Sequence, residues 1–218
     1  MSMRALRRQR GQSLPEFLVA VFGFGVLLLA MLQAILFYRG KATVDYAAQE
    51  AARAGALYGA DMGQMQKGFA RGLTPLYATA ASSRNPLGVY EAFKTAQLQI
   101  TTMGVGSITV ISPTTSAFDD FKEAQYDGTM ALPNDSLNFR SNKLGGRSGL
   151  SVQDANILKI QVTYKFPLIV PIIDRLIGTL DPARTALEGH TVYSISIVAD
   201  AMVRMQSPVT NRANLAAR

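Results

Sequence analysis

The chain has 218 residues, 48% of them apolar, with one histidine, His190, and no cysteine. That length accommodates one membrane segment and one modest globular domain, and the lack of cysteine excludes disulfides and thiolate chemistry. The formal charge of +7 owes much to a short tail, because four of the 22 basic side chains (Arg4, Arg7, Arg8 and Arg10) lie in residues 1–11, where there is no acid.

Directly behind that tail, residues 17–38 carry no charge, and Gln33 is their only strongly polar side chain. As a helix this run reaches about 33 Å at about 1.5 Å per residue, enough to cross a bilayer core. A soluble core helix would carry a polar face, and this one has none. The run is too long for the apolar core of a secretory signal, and no small-residue cleavage site closes it. Arginines abutting one end predict an N-terminus in the cytoplasm and a body on the far side. Phe17 and Tyr38 mark the ends of the transmembrane anchor.

The helix is expected to continue beyond the membrane. In "ATVDYAAQEAARAGALY", residues 42–58, alanine dominates. Ala47, Ala48, Ala51, Ala52, Gly55 and Ala56 form a stripe of small residues at helical spacing. Packing inside the domain is the expected use of that stripe. Gly59 and Gly63 are the expected stops, residues 64–83 are expected to hold a shorter helix, and "SSRNPLG" reads as a turn.

Strands follow. In "QLQITTMGVGSITVIS", Leu98 and Ile100, then Ile108 and Val110, alternate with polar residues, so a hairpin or a long bulged strand is expected. "ILKIQVTYKF" alternates throughout, with Leu158, Ile160, Val162, Tyr164 and Phe166 on one face. "HTVYSISIVADAMVRMQ" repeats the pattern from Tyr193 to Met205. The fold class is therefore α+β: a long N-terminal helix, half membrane and half domain, packed on a small antiparallel sheet of three or four strands with one wet face. Residues 112–156 are polar and read as an irregular insertion. Residues 167–178, "PLIVPIIDRLIG", are far more apolar than one connection needs. Leu168, Ile169, Ile172 and Ile173 are candidates for a contact surface against the membrane or a partner, unless the segment folds back on the core.

Ser13-x-x-Glu16 is a capping-box pattern, with Pro15 suited to a first helical turn. That explains Glu16 locally. The wider context is a basic leader, Gly11, four residues, Glu16, Phe17 and then a spanning helix. It resembles the processing site of type IV pilins. The stretch from Arg10 to Gly59, with RG, EF and "AAQEAARAGA" at their places, is similar to the TadE-like minor pilins, or pseudopilins, of the tight-adherence (Flp, type IVc) pilus. Pro15 departs from the family, which more often has a small or branched residue there. So does Gln33, where the family often has an acid.

The resemblance implies that prepilin peptidase cuts between Gly11 and Gln12. Residues 1–11 are then a cleaved leader, residues 12–59 the long helix and residues 60–218 the periplasmic domain. A carboxylate at the edge of hydrocarbon needs a partner, and the resemblance implies that Glu16 pairs with the new amine of a neighbouring subunit. The implied function is assembly of a pilus for surface attachment, in the bacterial inner membrane and in a filament. The implied partners are other pilins and the inner-membrane assembly platform. No catalysis, cofactor, nucleic acid or small-molecule substrate is expected. The acids Asp119, Asp120, Glu123 and Asp127 lack the spacing of a calcium loop. The competing reading is an unprocessed bitopic protein whose far-side domain binds a ligand or partner.

Overall fold

In the computed structural model, which describes residues 13–80 and 84–217, the apolar run and the alanine-rich stretch form one unbroken helix, α1 (Ser13–Leu57). It is long and apolar enough to span a membrane. Its first half carries its large apolar side chains on the outside, while Ala47, Ala48, Ala51, Ala52 and Ala56 in the second half are completely buried.

Two further helices follow. α2 (Met62–Tyr77) is capped by the Asp61 carboxylate, which accepts from the Gln64 amide at 2.8 Å. It lies against the alanine stripe at close range, because a Cβ at Gly72 would sit 2.7 Å from the Ala47 Cβ and nearer still to its Cα. Small residues on both helices are what allow that approach. Gly63, expected as a stop, instead belongs to the first turn of α2.

α3 (Pro86–Thr101) corrects the strand expected around Leu98 and Ile100. Asn85 caps it by accepting from the Leu87 amide at 3.0 Å, and Pro86 occupies its first turn. Asparagine followed by proline is a helix start as much as a turn signal. Two alternating apolar residues cannot outweigh the helical spacing of buried Ala92, Ala96 and Ile100.

The chain then enters β1 (Gly106–Ser112) and the insertion. The insertion holds α4 (Thr115–Phe121), the small ladder β2 (Glu123–Ala124) with β3 (Met130–Ala131), and α5 (Val152–Ala155). β4 (Ile157–Pro167), α6 (Ile173–Ile177), β5 (Thr179–Leu180), α7 (Pro182–Glu188) and β6 (Tyr193–Arg204) complete the domain.

The main sheet is antiparallel in the order β1-β4-β6-β5, and β4 pairs with β6 along its whole length, from Ile157 opposite Arg204 to Pro167 opposite Ser194. Leu158, Ile160, Val162, Tyr164 and Phe166 are buried on one face, and Ile197, Ala199 and Ala201 join them from β6. The alanine half of α1 covers that face, with α2 beside it. Sheet and helix converge where α1 leaves its apolar half. Phe166 packs edge-on to Phe37 at 6.1 Å, and a Cβ on Gly40 would overlap the Phe166 ring.

Candidate functional site

Gly11 and Gln12 lie outside the described residues, as does the Ser13 side chain with which Glu16 would form a capping box. Glu16 itself stands exposed in the first turn of α1, where a carboxylate complements the helix dipole. Phe17 is 65% exposed and Tyr38 is 76% exposed. Between them the helix surface is almost bare, and Gln33 is the exception at 1% exposure.

What covers Gln33 is the apolar connection between β4 and β5. The Gln33 Oε1 accepts hydrogen bonds from the amides of Ile169, at 3.3 Å, and Val170, at 3.0 Å. Its Nε2 is buried without a hydrogen-bond partner among the described residues. The connection is held at its other corners by the Leu168 amide donating to the Tyr193 carbonyl (2.9 Å) and the Asp174 amide to the Val170 carbonyl (3.0 Å). Of the four residues proposed from sequence as a contact surface, Leu168 and Ile173 point inward and are buried. Ile169 and Ile172 are exposed, together with Leu176 and Ile177. The segment thus divides into an inner row that docks on the domain and an outer row that stays exposed among the described residues.

Next to this connection lies a cleft of about 690 Å³ between α1, α2 and the end of β4, with Leu36, Arg39 and Thr43 on one side and Tyr77, Tyr164 and Arg184 on the other. Its polar wall is a network that sequence reasoning missed. The Tyr77 hydroxyl donates to the Gln99 Oε1 at 2.8 Å and lies 2.9 Å from the Tyr164 hydroxyl. Arg184, 3% exposed, donates through Nη2 to the Tyr164 hydroxyl and to the Lys165 carbonyl, both at 3.0 Å. Its Nε stands 3.7 Å from the buried Asp181 carboxylate. Burial, reinforced by Tyr164, pushes the Tyr77 hydroxyl far above the usual tyrosine range. Burial also works against the Arg184 charge, but Tyr164, Tyr77 and Asp181 outweigh it. Only Tyr164 carried a signal in the sequence, as an inward position of an alternating strand. The network offers hydrogen bonds and one fixed cation.

The insertion's carboxylates are dispersed rather than convergent. Asp119 meets Arg212 at 2.9 Å and Lys122 at 3.3 Å, and Asp120 accepts from the Ser148 amide and hydroxyl, both at 2.8 Å. Glu123 pairs with Arg140 at 2.8 Å, and Asp127 accepts from Thr129. Among the described residues no group of three or more acids or histidines is arranged to hold a metal ion. His190 is exposed, with its Nδ1 3.2 Å from the Glu188 carbonyl.

No protein-family model, curated protein or solved structure matches the chain.

Proposed function

We propose that this chain is a minor pilin or pseudopilin of a tight-adherence pilus, anchored in the bacterial inner membrane with its N-terminus in the cytoplasm and its α+β head in the periplasm. The observation that carries the reading is the shape of α1. One helix of 45 residues presents bare apolar side chains along its first half and forms the spine of the head with its second half. Such an element serves as an anchor in the membrane and as a packing rod in a filament without changing conformation. The leader pattern of residues 1–16 adds a means of passing from one state to the other. Cleavage between Gly11 and Gln12 leaves the anchor whole and creates an amine, and Glu16, exposed one turn into the helix, is its partner on a neighbouring subunit.

The test has two parts. Intact-mass measurement of the protein extracted from membranes of cells with active prepilin peptidase should give a chain beginning at Gln12, and a wild-type chain retaining residues 1–11 refutes the reading. Glu16→Gln keeps the capping capacity of the side chain and removes its charge. It should leave cleavage and protein level unchanged while reducing piliation.

A second reading is favoured by the cleft beside Arg184. There the chain is an unprocessed bitopic protein whose head binds a polar or anionic ligand. It predicts an uncut N-terminus and a head whose melting temperature rises with that ligand.

A further inference from the structure

We infer that the connection from Leu168 to Gly178 is a second membrane element: it inserts its outer row, Ile169, Ile172, Leu176 and Ile177, into the acyl layer of the leaflet nearest the head, and Gln33 pins it to the spanning helix. The inference rests on the reading of α1 as a membrane span.

The first support is position. Ile172 lines a shared surface hollow with Phe22, Val26, Leu28, Leu29 and Leu32 of α1. Those residues belong to the charge-free run, so whatever medium surrounds that part of the helix surrounds Ile172 as well. Gln33 precedes the end of the run at Tyr38 by about 7 Å of helix, and the Ile169 and Val170 amides bound to it share that depth.

The second support is the chemistry of Gln33. Backbone amides that enter hydrocarbon lose water and must be satisfied internally. A glutamine on the membrane face of α1 is costly by itself, yet here its carbonyl oxygen takes up two of the loop amides at once. The Gln33 oxygen and the two loop amides satisfy one another, while the Nε2 stays buried without a partner among the described residues.

The third support is Ile172 itself. Its φ of +73° places a β-branched side chain in a conformation that favours glycine. Glycine would meet the backbone's demand with less strain. Isoleucine there, 47% exposed, supplies apolar surface at the outermost turn instead. In the short helix α6 that follows, Ile173 turns inward and is buried, while Leu176 and Ile177 stay exposed and continue the apolar surface that begins at Ile172.

The absence of native cysteine allows a direct test on the full chain. Single variants Leu28→Cys, Ile172→Cys, Leu176→Cys and Tyr126→Cys would carry a nitroxide in vesicles of phosphatidylethanolamine and phosphatidylglycerol. Collisions with oxygen, which concentrates in lipid, are compared with those of a water-soluble nickel chelate. Labels at 172 and 176 should favour oxygen, as the label at 28 does, while the label at 126 on the head favours nickel. A nickel preference at 172 and 176 beside an oxygen preference at 28 overturns the insertion and leaves the span intact. A nickel preference at 28 removes the span and the insertion with it. Exclusion of both reagents at 172 means that a second copy covers the loop, which also overturns the lipid assignment. Gln33→Leu leaves the two amides without their acceptor and should shift the 172 label toward nickel without altering the 28 label. An unchanged 172 label in that variant overturns the role given to Gln33.

Discussion

The two halves of α1 share a backbone and differ in what their side chains require. In the first half, Phe17, Leu18, Phe22, Phe24, Leu27 and Met31 are about half or more exposed; in the second, Ala47, Ala48, Ala51 and Ala52 are fully buried. By the ordinary rule for soluble proteins, large apolar groups go inside, and alanine commonly does too. The second half obeys the rule and the first half breaks it, so the two halves answer to different surroundings. Large side chains outside leave the apolar surface that a spanning helix requires, and methyl groups inside allow α2 and the sheet to approach the helix backbone.

The contrast can be broken most severely by truncating what packs on the alanine half. Phe69 of α2 is fully buried and stacks edge-on with Tyr164 at 6.4 Å. Phe69→Ala should cost about 3–5 kcal/mol, read as a fall in the unfolding midpoint of the full chain in detergent. Phe22→Ala, an equal truncation in the other half, should leave the head's midpoint unchanged. A smaller effect comes from enlarging instead of truncating. Ala51→Leu forces extra atoms into the contact with α2 and should cost about 1–3 kcal/mol, while Leu28→Ala costs the head nothing. Equal losses in the two halves would mean that α1 is not divided as described.

Two pH experiments sharpen the comparison inside the head. Tyr77 has its hydroxyl pushed up by burial, so the protonated form is favoured in the folded state. Its contribution is complete below the ordinary value of 10.0 and declines as the pH rises above it. Tyr77→Phe should flatten part of the alkaline loss of stability seen by thermal melts above pH 10.0. The weakest effect lies in the insertion. Asp119 is held below the usual carboxylate range by Arg212 and Lys122, and Asp120 by Ser148 and Arg147. Their contribution is complete above 3.8 and fades as the pH falls below it. Hydrogen exchange should therefore accelerate first around residues 145–148 on acidification, before the alanine half of α1 opens.

Elements with a long, single period were legible in the sequence. Twenty-two uncharged residues, a run of alanines at helical spacing and the alternation of β4 and β6 each repeat one local requirement many times. α3 was not legible, since the short alternation about Leu98 competes with a helix whose buried residues are mostly small. The Arg184 network was hidden for another reason. Tyr77, Gln99, Tyr164 and Arg184 come from four elements, and only the stacking of α2 and α3 beside the end of β4 brings them together. Gln33 is similar. In sequence it is one polar interruption, 136 residues from the amide of Ile169 that it binds. Its meaning depends on the topology, which returns the connection after β4 to the exit point of α1.

The packing of Phe166 on Phe37 and Gly40 leaves α1 without a joint where its two halves meet. The helix therefore behaves as a lever. Its alanine half extends about 30 Å past Tyr38, so a tilt of roughly 20° in the apolar half, an ordinary value for spanning helices, sweeps the far end of the head sideways by about 10 Å. On the proposed reading of α1 as a span, the thickness of the bilayer is thereby converted into the direction in which the head points.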